Sequence, residues 1–331
     1  MKKFLLLTII FQIGIIGCLK AQIDPHFSQL YADPLWLNPA LTGVYDGDAR
    51  LTANFKDQWT GISNGYKTGA FSAEEKMTGK VSIGFNFIDE SAGSANFNYF
   101  AGYGTLGYMV PISSDGIKKL HFGLQVGLIN RSFNPGDLQF ENQYNPLIGY
   151  DSNISSGETF SSTTSIIFDS GLGIYYDENG SENNVKPFGG VSIFHINGAA
   201  DPFAEAGTKT VLPVRFNVHG GVKIAASETL DITPSIIYVR QQQNQIRALD
   251  VNAAFKTTNE NSFLVGADYR YQDAIVAEFG YRLNSLMLGL SYDVNTSALR
   301  TATNGNGGIE VSLNYIFGSS SGGASNSSPK F

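Results

Sequence analysis

Between Ala49 and Phe317 the chain alternates apolar and polar residues with a period of two, and nothing else in it restricts the fold so strongly. "LHFGLQVGLINR" sets Leu120, Phe122, Leu124, Val126 and Leu128 against His121, Gly123, Gln125 and Gly127. "VSIGFNF" sets Val81, Ile83, Phe85 and Phe87 against Ser82, Gly84 and Asn86. "RLTANFKDQW" opposes Leu51, Ala53, Phe55 and Trp59 to Arg50, Thr52, Asn54, Lys56 and Gln58. Successive side chains of a strand point to opposite faces, so each stretch predicts a strand with one apolar face. About 14 such segments can be counted, most near the ~10 residues a tilted strand needs to cross a bilayer. Two are weak: the one around Phe71 and the one from Lys186 to Ile196 lack a clean apolar face.

Alternating antiparallel strands build either a soluble sandwich or barrel, whose apolar face is the core, or a membrane barrel, whose apolar face meets lipid. Three features favour the membrane. The polar faces are small or neutral (Gly84, Gly123, Gly127, Ser291), as a crowded lumen requires. Aromatic residues gather near segment ends (Trp59, Tyr99, Tyr176, Tyr238, Tyr271, Tyr315), as in interfacial girdles. The chain also carries an export signal yet has one cysteine, so disulfides do not staple it. Loop lengths give an independent check. With a periplasmic N-terminus, the longest connections (Ser132–Thr163, Gly198–Thr208 and Asn295–Gly307) all follow odd-numbered strands and fall on one, outer side. The expectation is an all-β transmembrane antiparallel β-barrel of about 14 strands over residues 49–317, in the bacterial outer membrane with the lipid bilayer around it.

The first 21 residues read as a signal peptide: Lys2 and Lys3, an apolar run from Phe4 to Gly17, and "LKA" before Gln22. "IIGC" ending at Cys18 also resembles a lipobox, which would make Cys18 a lipidated first residue; cleavage after Ala21 is the expectation. Elsewhere no apolar run is long enough for a membrane-spanning helix. The tail, residues 318–331, is low in complexity and expected to be disordered. A formal charge of -7 without any Lys/Arg cluster argues against nucleic acid as a partner.

Candidate chemistry is sparse. "GYGTLG" (Gly102 to Gly107) matches G-x-G-x-x-G, but it sits inside an alternating strand with no helix to hold a pyrophosphate, so a closely packed strand is the better account. Ser192 and His195 stand three apart in "GVSIFH"; in a strand they point to opposite faces and do not meet. His26, His121, His195 and His219 are scattered without metal-ligand spacing, and no calcium-loop pattern occurs. No catalytic, cofactor-binding or metal site is expected, and no enzyme. Inward-facing charges (Arg50, Lys56, Arg215, Lys223, Asp268, Arg270, Glu278, Arg282, Glu310) could line a selective path or a docking surface. Their mixed signs suit mutual ion-pairing better.

The segment "DPHFSQLYADPLWLNPALTG" obeys neither strand nor helix periodicity. With Arg50 and Gln58-Trp59 it resembles the N-terminal signature of the PorP/SprF family, outer-membrane proteins associated with type IX secretion. The matching residues are Asp24, Pro25, Phe27, Ser28, Gln29, Tyr31, Asn38, Pro39, Ala40, Gly43, Arg50, Gln58 and Trp59. "LQFENQYNP" (Leu138 to Pro146) and "GVSIFHIN" (Gly190 to Asn197) extend the likeness. One departure is Lys56-Asp57, where the family pattern leads one to expect an Arg shortly before Gln-Trp. The resemblance implies a barrel that helps a large secreted protein, such as a gliding adhesin, reach the surface and stay attached through its C-terminal domain, together with other type IX secretion or accessory outer-membrane components. The prolines Pro25, Pro34 and Pro39 forbid a regular ladder while the bulky residues need burial. Residues 22–48 are therefore expected to form a plug in the periplasmic mouth or lumen, the alternative being a lead-in packed on the rim. The long, aromatic-rich outer loop is a candidate partner contact, with Phe140 and Tyr144 as its anchors. The rival reading is an outer-membrane transport channel for a small or hydrophobic solute.

Overall fold

The computed structural model describes residues 24–318, apart from residues 60, 63, 161, 181–182, 201–210 and 259–260. The signal-peptide segment with Cys18, and the tail after Gly318, lie outside the described residues. The first half of the barrel is built from β1 (Ala49–Gln58), β2 (Tyr66–Lys76), β3 (Val81–Ala92), β4 (Phe97–Pro111) and β5 (Lys118–Ser132). A two-residue ladder, β6 (Tyr144–Asn145) with β7 (Gly149–Tyr150), stands apart in the loop that follows. The wall resumes with β8 (Thr164–Glu178), β9 (Val185–Phe194), β10 (Arg215–Ala225), β11 (Leu230–Gln241) and β12 (Asn244–Lys256). It finishes with β13 (Asn261–Arg270), β14 (Ala274–Leu283), β15 (Leu286–Asn295) and β16 (Asn306–Phe317).

These strands form one closed antiparallel barrel of 14 members in which each pairs with its neighbour in sequence, β5 passing directly to β8. Closure is made by β16 against β1, in continuous register from Ala49 opposite Phe317 to Gln58 opposite Gly308. The alternation carries straight into the wall. Leu124 and Val126 are 40% and 44% exposed on the outside, whereas Gln125 between them is 2% exposed and faces inward. Leu288 and Leu290 likewise point out and Ser291 in. Outward faces carry a band of Phe, Leu, Ile and Val, and the buried positions carry Thr52, Asn86, Gln125, Asp169, Asn217 and Glu310. A soluble protein would reverse this arrangement; a barrel whose outer face meets hydrocarbon requires it.

The two weak segments are strands, and the reason for their weakness is visible. In β2 the outward positions include the small residues Gly69 and Ala73, leaving Phe71 as the only large apolar side chain there. In β9 the inward positions include Phe188 and Phe194, which are buried inside the barrel, so both faces read as apolar. Tyr99 departs from the expected girdle: it is 6% exposed and packs edge-on against Trp36 within the lumen, 6.5 Å between ring centres, while Tyr271 and Tyr315 do face outward.

Short turns, such as Leu283 to Leu286 and Lys76 to Val81, occupy the end where β1 starts and β16 stops. The connections from Ser132 to Thr164, Phe194 to Arg215 and Asn295 to Asn306 all lie at the opposite end, the outer one. Leu290 pairs with Val311 and Phe279, residues in the middle of their strands, and Leu288 lies one outward row nearer the short-turn end. Replacing Leu290 with Arg should therefore cost about 2–4 kcal/mol and Leu288 less, since the cost falls toward the interface. Urea unfolding of the two variants in lipid vesicles checks this; equal costs would contradict the assigned depth.

Candidate functional site

The N-terminal segment runs lengthwise inside the barrel. Asp24 stands at the outer end: its carboxylate Oδ2 accepts from Arg215 at 3.1 Å and lies 2.7 Å from His195 Nε2, while Oδ1 accepts from Gln241 Nε2 at 3.1 Å. These three partners begin β10, follow β9 and end β11, which fixes the height. At the other extreme, Asp48 N–H donates to Phe317 O at 2.9 Å, and Lys76 Nζ caps the Tyr45 carbonyl, at the short-turn end. Between them Pro34–Leu37 makes one helical turn and Pro39–Leu41 one 3-10 turn, the prolines supplying the fixed φ that starts each turn. Of the expected locations, periplasmic mouth or lumen, the segment occupies the lumen and reaches its outer end.

The family-signature residues are the points at which this segment meets the wall. Pro25 O accepts from Trp36 Nε1 at 2.7 Å, which folds the start of the segment back over Phe27, itself 3% exposed. Ser28 Oγ donates to Asp293 at 2.7 Å and accepts from Arg270 at 2.9 Å, and its N–H donates to Glu310 at 2.5 Å. Gln29 reaches Ser312, whose hydroxyl donates to Gln29 Oε1 at 2.6 Å. Tyr31 sets its ring edge against Phe188 and His219. Asn38 donates from Nδ2 to Ile174 O at 3.1 Å and its Oδ1 accepts from Ala40 N–H at 2.9 Å, a side-chain cap for the 3-10 turn of Pro39. Gly43, with φ of 83°, donates its N–H to Glu74 at 2.9 Å, and the same carboxylate holds Arg50 at 2.6 Å. Gln58 is buried at the outer end of β1, and Trp59 packs its ring on Tyr66 with its N–H bonded to Gly307 O.

The wall leaves room for this segment at glycines. A Cβ on Gly123 would stand 2.1 Å from Ala40 N, and one on Gly107 would stand 2.4 Å from Thr42 O, so any side chain there would collide with the segment's backbone. "GYGTLG" is therefore a wall strand whose last glycine lies under the segment, in place of a nucleotide loop. For the lumenal cations Arg50, Lys56, Arg215, Lys223 and Arg270 the geometry supports the ion-pairing reading, whereas Asp268 and Glu278 form no ion pair among the described residues. Arg270 spans Asp293 (2.5 Å) and Asp273 (2.8 Å), Lys56 stands 3.6 Å from Asp293, and Lys223 stands 3.1 Å from Asp231. Lys56, where an Arg was expected, is thus within Coulombic range of its carboxylate but beyond hydrogen-bond distance. Ser192 and His195 serve separate contacts: Ser192 Oγ donates to Leu37 O at 2.8 Å, and His195 lies between Asp24 and Asp169, whose Oδ1 is 3.0 Å from Nδ1. With a carboxylate facing each ring nitrogen, the imidazole is arranged to hold both protons. That last contact is an ion pair without hydrogen-bond alignment.

Sequence reasoning did not single out Glu74, Asp169 or Asp293. All three fall on inward positions of their strands, so the parity of the alternation was a sufficient signal. In the outer loop, Phe140 and Tyr144 are not equivalent. Phe140 packs on Phe160 at 6.2 Å, and Phe133 joins at 5.3 Å, forming the loop's own small core. Tyr144 is 52% exposed on the β6–β7 hairpin, and the hairpin's tip presents Leu147 and Ile148, 93% and 69% exposed.

The glycine contacts generate a direct test of whether the segment restricts passage through the lumen. Gly123→Val should dislodge Ala40 from the wall at a cost of roughly 1–3 kcal/mol, leave the sheet closed, and raise ion conductance in planar bilayers. Gly69→Val, at a site where an added Cβ has open space, should change neither. Equal conductance in the two variants would sink the idea that the segment restricts the lumen.

Comparison with known proteins places this architecture. The family profile described as "Type IX secretion system membrane protein PorP/SprF" matches residues 19–315. No curated protein matches. Among solved structures the chain is similar to the Ralstonia pickettii toluene transporter TbuX, with a TM-score of 0.51 at 9% identity over 87% of this chain and 94% of that one. It is also similar to the Pseudomonas putida toluene transporter TodX, with a TM-score of 0.48 at 12% identity over 88% and 93%. At such identities the likeness to TbuX speaks for the fold alone, that of an outer-membrane barrel. The match over nearly the whole length, with the lumenal segment within it, shows that the chain belongs to the PorP/SprF family of type IX secretion system membrane proteins.

Proposed function

We propose that this outer-membrane barrel is a non-catalytic component of type IX secretion that helps a large secreted protein, such as a gliding adhesin, to reach the cell surface and stay there. In this reading the outer face engages the C-terminal domain of the secreted protein, alone or with accessory outer-membrane components. The observation that carries it is the outer loop. It combines an aromatic cluster (Phe133, Phe140, Phe160) with a protruding hairpin that displays Tyr144, Leu147 and Ile148 to water. A loop this long with its own packing is characteristically functional, and exposed apolar side chains grouped on a small hairpin mark sites of protein contact.

The rival reading, passage of a small or hydrophobic solute, draws on the fold shared with a toluene transporter. Against it weighs the lumenal segment, which is bonded to the wall at both ends and along its length.

Leu147→Ser with Ile148→Ser should leave the barrel assembled, judged by retained heat-modifiable migration, while the secreted adhesin shifts from cells to medium. Tyr144→Ala should act in the same direction but more weakly. Phe140→Ala should act through the loop, raising its protease sensitivity before display is lost. Unchanged adhesin display in the Leu147/Ile148 variant, with altered conductance instead, would make the loop a lid and the anchoring reading wrong.

A further inference from the structure

We propose that the lumen contains a binding site for a small organic ammonium ion, formed by Asp250, Asp268 and Glu278 on the wall against Tyr31 of the inner segment. This goes beyond the anchoring role and does not rest on it.

The site is a small cavity with room for a few water-sized groups. It lies between residues 28–32 of the segment and the inward face of β11 to β16. Its charged lining has one sign. Asp250 and Asp268 stand directly opposite each other in the β12–β13 ladder, and Glu278 lies in the adjacent row of β14, opposite Gly266. Like charges placed opposite one another across a sheet are destabilising, so the pairing needs compensation. Asp250 is held by neutral donors only, Ser235 Oγ at 3.0 Å and Asn252 Nδ2 at 2.9 Å. Arg270, two residues from Asp268 on the same face, is committed to Asp273 and Asp293. Among the described residues no Lys, Arg or His forms an ion pair with any of the three carboxylates.

Asp268 is the independent sign that something binds. It is 2% exposed, it lines the cavity, and neither of its carboxylate oxygens has a hydrogen-bond partner. Buried polar groups are almost always satisfied, and an orphaned carboxylate facing a cavity asks for a donor that carries positive charge. Gly266 belongs to the same construction. A Cβ there would stand 2.0 Å from Asn252 Oδ1 and 3.1 Å from Glu278 Oε2, so the missing side chain is what lets these two groups converge.

The lining also says which cation. No three acidic, His or Cys side chains among the described residues are placed to hold a metal ion together. Much of the remaining lining is apolar, from Leu30, Ile237, Leu264 and Met287, with Tyr31 beside them. A charged head that donates hydrogen bonds and an apolar body fit both halves, which describes an alkylammonium ion. Aromatic faces favour such a head as well.

The test is calorimetric titration of the full-length barrel in detergent at neutral pH with n-butylammonium chloride. Saturable binding is expected, reduced at least about tenfold by Asp268→Asn, the loss typical of a hydrogen bond to a charged group. Glu278→Gln should weaken it in the same direction, and it serves as the reporter if Asp268→Asn fails to assemble. Butanol should not bind, and potassium should not displace the amine at equal concentration. Absence of amine binding overturns the proposal in favour of carboxylates neutralised by protons. Equal binding by the folded Asp268→Asn variant overturns it too, and displacement by potassium would assign the site to inorganic cations instead.

Discussion

Lipid offers no hydrogen-bond partners, so every backbone N–H and C=O of the wall has to be satisfied within the protein. The pairing of β16 with β1 is what makes this possible: without it two full edges would face hydrocarbon. Closure in turn dictates the rest. It fixes which residues look inward, because the pleat alternates, and it encloses a space lined by polar side chains that water reaches poorly. The lumen must therefore solve its own electrostatics.

Much of that solution comes from the N-terminal segment. Its backbone amides at Ser28 and Gln29 meet Glu310, its Asp24 meets Arg215 and His195, and its Gly43 N–H shares Glu74 with Arg50. Glu310 and Arg215 gain partners from the segment, whereas Glu74 and His195 also meet Arg50 and Asp169 on the wall; a buried charge left unpaired would cost several kcal/mol. Close approach is equally necessary, and it comes from glycines on the inner face of the wall, where a methyl group alone would push the segment away. The family signature reads as a record of this interface, its partners on the wall ranging from Glu74 on β2 to Ser312 on β16.

How much of this could be read from sequence differs by feature. The barrel, its strand number and the side on which the long connections fall follow from a two-residue period and from loop lengths, both local properties. The inward charges were equally readable, since parity alone places Arg50, Lys56 and Arg270 inside. Their partners Glu74 and Asp293 are placed inside by the same parity; which charge each one meets depends on strand register, Glu74 lying opposite Arg50 in the adjacent strand. Tyr99 shows the limit of an analogy: an aromatic near a strand end can serve a girdle or an inner cluster, and only its parity against Phe100 tells which. The signature segment was legible as irregular and apolar, but its path through the lumen depends on contacts with nearly every strand. The same holds for Phe140, whose packing on Phe160 joins residues from opposite ends of one loop.

The direction of the inner segment has a consequence for biogenesis. Asp24 stands at the outer end, and the chain then descends to the short-turn end before β1 begins. The strand that seals the cylinder is the last one made. A segment lying lengthwise within a sealed cylinder is hard to install afterwards, since bulky Trp36 and Tyr31 would have to pass between walls already at contact distance. The geometry thereby favours one order of events, in which the segment lies against the open sheet before the final strand zips against the first. Maturation of this protein is in that sense a wrapping process, with the signature segment as the core around which the sheet is wound.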